Sequence, residues 1–260
     1  MRLIQHWQAR RAARIVARRA IPDALWQLTL AHLPFLTWRS TADLAELRRL
    51  SSLFLDSKEF TGANGLVVDD AMAVCIAAQA VLPVLRFGLA PYNGFVGIVV
   101  QPDEVLARRE VMDEHGVVHA YGEVVAGEAM EGGPVMLSWR DVQDAAISAE
   151  HGYNVVIHEF AHVLDMADGT ADGVPPLASA QARRQWLAVL MPAYDRLGEQ
   201  VACGYDTLLD PYGAQGPEEF FAVATETFFV QPQQLRAEHP DLHGMLARYF
   251  QQDPAADAGH

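Results

Sequence analysis

The sequence predicts an α+β fold, on three observations. A helical stretch runs from Pro22 to about Leu85, short β-rich segments bounded by Gly and Pro lie between residues 94 and 139, and helical periodicity returns after Trp139 and persists. Of the 260 residues 51% are hydrophobic, enough for a sizeable core.

Each element has its own reason. In "LAELRRLSSLFLD" (44–56), Leu44, Leu47, Leu50, Leu53 and Phe54 recur at the spacing of one buried helix face. "DDAMAVCIAAQAVLPVL" (69–85) is apolar nearly all round, so it reads as a buried helix broken at Pro83. "GFVGIVVQP" (94–102), "GVVHAYGEVVAG" (116–127) and "GPVMLSW" (133–139) read as strands of a small, mostly antiparallel sheet. Helices follow at 150–167, 180–198, 217–230 and 241–251, with Asp-Gly pairs and "DPYGAQGP" (210–217) as loops. Residues 21–86 are expected to form a helical N-terminal part, 87–252 to hold the sheet and the later helices, and 253–260 to be a flexible tail; 21–252 are expected to pack as one unit.

The formal charge of −14 argues against direct nucleic-acid binding by the body of the protein. Two cysteines, Cys75 and Cys203, exclude a disulfide framework and fit a reducing compartment, so a cytoplasmic protein is expected. No apolar run reaches the length that spans a membrane, and the N-terminus lacks the core of a secretory signal. Arg2, Arg10, Arg11, Arg14, Arg18 and Arg19 all precede the first acid, Asp23. With Leu3, Ile4, Trp7, Ile15 and Val16 they make residues 1–20 either a solvated leader or a basic amphipathic helix for an acidic partner or membrane surface; the solvated reading is preferred.

"NVVIHEFAHVLDMADG" (154–169) carries chemistry. On a helix, His158 and His162 lie one turn apart on one face and can offer two imidazoles to a single Zn²⁺. Glu159 stands beside the metal as general base, the physical content of the H-E-x-x-H pattern. In an otherwise apolar helix, two histidines and a glutamate are costly without such a role.

Catalytic zinc takes three protein ligands. A third histidine ten residues after the first is excluded, because Asp168 stands there. A glutamate on the helix beginning at Pro217 is the alternative. Glu219 shares a face with Ala222, Val223 and Glu226, a face free of aromatics, so it is preferred; Glu218, on the face of Phe221, is the runner-up. Glu226, two turns on, reads as a supporting or structural residue. Asp165, three residues after His162, and Asn154, one turn before His158, are candidates for orienting a ligand imidazole. His115, His119, His151, His239 and His243 read as ordinary polar residues.

These segments together resemble the Mlc titration factor A family of bacterial zinc-dependent peptidases. The resemblance runs nearly end to end and is carried by "LPVLRFGL", "GPVMLSW", "YNVVIHEFAHVLDMADG", "PYGAQGPEEFFAV" and "YFQQDP". The active-site segments are also similar to the catalytic domain of anthrax lethal factor, where a tyrosine likewise precedes by seven residues a glutamate followed by Phe-Phe-Ala. The resemblance implies a zincin-like metallopeptidase spanning 87–252. It implies one Zn²⁺ per chain on His158, His162 and Glu219, Glu159 as base and Tyr212 as the donor that stabilises the oxyanion. It further implies aminopeptidase-like cleavage of peptide or protein substrates and binding to an Mlc-like, sugar-responsive transcriptional repressor. A substrate peptide is expected to add as a strand to the edge formed by Val135–Trp139. The alternative is a regulatory binding protein that sequesters a transcription factor, with peptidase activity secondary.

Overall fold

The computed structural model describes residues 10, 12–103, 105–112, 118–125, 127–129 and 132–258, with backbone alone for 105–112, 118–125 and 128. Two helices open the body, α1 (Asp23–His32) and α2 (Thr41–Ser57), the latter started by the Ser40 hydroxyl accepting from Asp43 N. Strand β1 (Glu59–Gly62) follows, then helix α3 (Asp70–Ala80), capped by Asp69. Next come β2 (Gly97–Gln101), β3 (Val105–Met112), β4 (Val118–Val125), β5 (Gly127–Ala129) and β6 (Val135–Ser138). After short helical turns between Trp139 and His151, the chain enters α4 (Val155–Asp165), α5 (Ala180–Ala202), α6 (Pro217–Val230), α7 (Pro232–Glu238), α8 (Pro240–Phe250) and, where a flexible tail is expected, the short α9 (Pro254–Asp257), capped by Asp253 and with Pro254 and Ala255 buried.

The expected mostly antiparallel sheet is not what forms. The main sheet has the order β1-β2-β6-β5; β1, β2 and β6 run parallel and only the short β5 is antiparallel. Parallel neighbours need a crossover. Helix α3 supplies it between β1 and β2, and the β3–β4 stretch lies between β2 and β6 in the chain. Strands β3 and β4 pair only with each other, as a separate antiparallel two-stranded sheet. The stretch from Pro22 to Leu85 is therefore not wholly helical, since β1 interrupts it. Val135–Trp139 is also not an edge: β6 lies between β2 and β5, and β5 is the outer strand.

Helix α4 lies against this sheet and is anchored by Phe160, which is fully buried and meets the rings of Tyr92, Phe54 and Phe95 at 5.0, 5.6 and 5.9 Å. Phe160 is two residues from both His158 and His162, on the opposite side of a helix with 3.6 residues per turn. Its burial, at about 2–3 kcal/mol, fixes which face of α4 turns away from the core. Lys58 Nζ holds the Tyr92–Phe95 turn by donating to both carbonyls and lies 3.6 Å from the Phe95 ring centroid. Helix α6 is anchored on its far side by Phe221 against Trp186 and by Phe228 and Phe229 against Phe250. Among the described residues no helix is long and apolar enough to cross a membrane. Cys75 is buried and Cys203 exposed, and they are not joined.

Candidate metal centre

Helix α4 begins at Asn154, whose side chain accepts from Ile157 N at 2.9 Å and whose extended backbone turns the chain into the helix. One turn in, His158 and Glu159 are buried, and His162 follows on the cleft side. Helix α6 begins at Pro217 after Gly216, which puts Glu218 and Glu219 in its first turn. The two helices pack together, and Glu219 Oε2 comes to 3.1 Å from His158 Nε2 and 3.2 Å from His162 Nε2. The two Nε2 atoms are themselves 3.1 Å apart.

Three donors converging on one point fit a metal ion. Ligands about 2.0–2.1 Å from a tetrahedral zinc stand about 3.3 Å apart, close to the observed triangle. Two imidazole nitrogens and one carboxylate oxygen suit a borderline cation such as zinc. Among the described residues this is the cluster of at least three His, Cys, Asp or Glu side chains able to hold a metal. Glu218 lines the same cleft, but its carboxylate folds back on its own helix start: a Cβ on Gly216 would lie 2.4 Å from Glu218 Oε1.

The imidazole of His158 is oriented from behind. Glu226, 1% exposed, sets Oε1 2.7 Å from His158 Nδ1, so an Nδ1–H donated there leaves the Nε2 lone pair facing the cleft. Burial opposes a positive charge on His158, but Glu226 and Glu219 outweigh it and hold its pKa well above the ordinary value. Burial likewise opposes the Glu219 carboxylate, yet the two imidazoles hold its pKa well below the usual range. Glu159 shows the reverse balance. Its burial prevails over the pull of the imidazoles and lifts its pKa to about 7.

The cleft has a volume of about 230 Å³ and is lined by Glu159, Tyr212, Gly127 and Ala129 together with the three convergent residues. Tyr212 sits on a short 3-10 turn, Pro211–Ala214, started by Asp210 Oδ1 accepting from Tyr212 N, and its ring centroid lies 5.9 Å from that of His158. Strand β5 passes directly over Glu159: a Cβ on Gly127 would stand 2.4 Å from Glu159 Oε1. Only a glycine lets backbone and carboxylate approach so closely.

Neither Asp165 nor Asn154 bonds an imidazole directly. Asp165 Oδ2 accepts from Gly173 N at 2.8 Å, because helix α4 ends there and the side chain turns toward the following loop. Trp186 Nε1 donates to Gly173 O at 2.9 Å, and a Cβ on Gly173 would meet Pro217 O at 2.3 Å. The Gly173 loop is thus wedged between the end of α4, helix α5 and the start of α6. Asn154 accepts from the His158 backbone N–H but reaches its imidazole only through Glu226, whose Oε2 accepts from Asn154 N. Of the remaining histidines, His243 is buried against the Phe228 ring and His151 is exposed. The side chains of His115 and His119 lie outside the described residues. Sequence reasoning missed Gln79, Gly127 and Gly173. Gln79 had a signal, a lone amide in an otherwise apolar helix; the two glycines had none until the elements they touch were placed.

Fold and cleft together define a protein with a candidate metal-hydrolase centre. A comparison with known families is in accord: the family described as glucose-regulated metallo-peptidase M90 matches residues 5–251, and the chain belongs to it. It is 36% identical over 251 residues to the uncharacterized protein slr2042 of Synechocystis sp., a match covering 96% of this chain and 90% of that one. It is 35% identical over 234 residues to Mlc titration factor A of Pectobacterium atrosepticum (89% and 87% covered) and 32% identical over 236 residues to that of Yersinia pestis (90% and 86% covered).

Proposed function

We propose that this protein is a zinc-dependent, aminopeptidase-like hydrolase of peptide bonds, with His158, His162 and Glu219 as the residues that hold the metal. The observation that carries this reading is the buried Glu159 carboxylate in the same cleft as three convergent donors. A structural metal site has no use for a base.

Zinc, when bound, supplies Lewis acidity, which polarises a carbonyl and lowers the pKa of water. The chain's own residues do the rest. Glu159 takes a proton from the attacking water on its carboxylate and delivers it to the leaving amine nitrogen. Its burial keeps Glu159 away from bulk water, which suits a group that accepts a proton and passes it on. Tyr212 donates its hydroxyl proton in a hydrogen bond to the carbonyl oxygen as negative charge develops there. Glu226 keeps His158 in one tautomer. A substrate strand adds along β5, whose backbone borders the cleft, rather than along β6.

Glu159→Gln tests the reading. The variant is expected to keep its zinc and lose peptidase activity; equal cleavage by variant and wild type, both carrying zinc, contradicts the mechanism.

A second role is supported by the names of the relatives and by the net charge of −14. An acidic surface suits a basic, DNA-binding partner, here an Mlc-like repressor sequestered by the protein. Two unpaired cysteines fit a cytoplasmic location for both roles.

A further inference from the structure

We propose that Gln79 and Asn154 are positioning residues for the metal site, through a buried polar chain that ties helix α3 to the imidazole of His158. The ligand set comes from α4 and α6 alone, and α3 contributes none. Yet α3 carries Gln79, fully buried among Val74, Cys75, Ile76, Ala77, Ala78 and Ala80. An amide in such surroundings is costly unless every polar atom is matched. Gln79 Nε2 donates to Cys75 O at 3.1 Å within its own helix, and Gln79 Oε1 accepts from Asn154 Nδ2 at 2.7 Å.

Asn154 is equally buried, and each of its polar groups has a different task. Its Oδ1 starts helix α4 by accepting from Ile157 N, its Nδ2 reaches Gln79, and its backbone N–H donates to Glu226 Oε2. Glu226 Oε1 then meets His158 Nδ1 at 2.7 Å. Three helices therefore meet at one residue, and the chain has a fixed sense. Gln79 sets the orientation of the Asn154 amide. That amide sets the first turn of α4 and, through Glu226, the ring of His158. Packing alone would be served as well by an unbranched apolar side chain of the same length. An amide, whose two ends are both used, is suited to transmitting orientation. A shift of α3 against α4 would be felt at the metal without any contact to it.

This inference rests on the metal reading of the cleft. The test uses the full-length chain stripped of metal and titrated with zinc against a chromophoric chelator, with the visible spectrum of the cobalt-loaded protein as a second readout. Gln79→Met removes the acceptor for Asn154. Asn154→Ser removes the amide but leaves a good helix cap and the backbone N–H. Direct supporters of metal-bound histidines are worth about 10- to 100-fold in affinity, so one step further back each variant is expected to raise the zinc Kd about 3- to 10-fold and to alter the cobalt spectrum. In a Glu226→Gln background, where the chain is already weakened, Gln79→Met is expected to change Kd by less than about twofold. Wild-type affinity and spectrum in Gln79→Met and Asn154→Ser, with lowered thermal stability alone, overturn the proposal, as does full multiplication of the Gln79→Met and Glu226→Gln effects. A wild-type chain that binds no zinc overturns the underlying metal reading instead, and that result needs no variant.

Discussion

Adding a single methyl group at Gly127 tests whether Glu159 must stand where the structure places it. A Cβ there would lie 2.4 Å from Glu159 Oε1 and 2.6 Å from its Cδ and Cγ. Ordinary contact distances are about 3.5 Å or more, so the carboxylate must retreat by about 1 Å. The three atoms nearest the new Cβ all belong to Glu159, so the collision falls on that side chain. Misplacing a reacting group by about 1 Å costs on the order of 100-fold in rate, about 2.7 kcal/mol of barrier. For Gly127→Ala, kcat on a peptide substrate is expected to fall about 100-fold. Zinc content should not change, because the three atoms nearest the new Cβ all belong to Glu159. Wild-type kcat in a folded, zinc-loaded Gly127→Ala protein would refute the placement of the base. A change in KM alone would assign β5 to substrate contact and not to crowding of Glu159.

Two further predictions concern the loop that joins the helices. Burial raises the Asp165 pKa from 3.8 to about 7, against the relief given by Gly173 N–H. The folded chain therefore holds a proton there that the unfolded chain has lost, and the contribution of Asp165 to the stability of the metal-free protein falls as pH rises from about 4 to 7, by at most on the order of 4 kcal/mol. Asp165→Asn keeps the acceptor for Gly173 N and is expected to flatten that slope, as read by chemical denaturation of the metal-free protein at several pH values; an unchanged slope contradicts the assignment. Trp186→Phe strands the Gly173 carbonyl, at a cost of about 1–3 kcal/mol, and is expected to lower Tm by roughly 3–10 °C. A Tm equal to wild type would show that the loop is not held by this bond.

The helices were legible where residue chemistry and period agreed. The span of α6 from Pro217 to Val230 matches the expected one because Pro217 marks its first turn, and the grouping of His158, Glu159 and His162 in one cleft follows from spacing along a single helix. Strand pairing was not legible. The two segments that pair, β2 and β6, are separated in the chain by the β3–β4 sheet, so short loops and β-rich runs pointed to hairpins where a parallel pair forms. Strand β3 was hidden by "ARRE" in its middle and β1 by its length of four residues. Asp165 shares the face of the histidines along an ideal helix, but α4 stops there and the side chain serves the next loop. Glu218 and Glu219 are adjacent in one helical turn, and phasing separates them weakly. What distinguishes them is the packing of α6 on α4, which directs Glu219 at the imidazoles while Glu218 turns back over Gly216.

The central claim is that Glu219 completes a three-residue metal site with His158 and His162. Metal analysis of the purified chain and of two single variants tests it most directly. One zinc per chain is expected in wild type and in Glu218→Ala, with zinc lost in Glu219→Ala. Retention of zinc by Glu219→Ala, or its loss from Glu218→Ala, would contradict the claim.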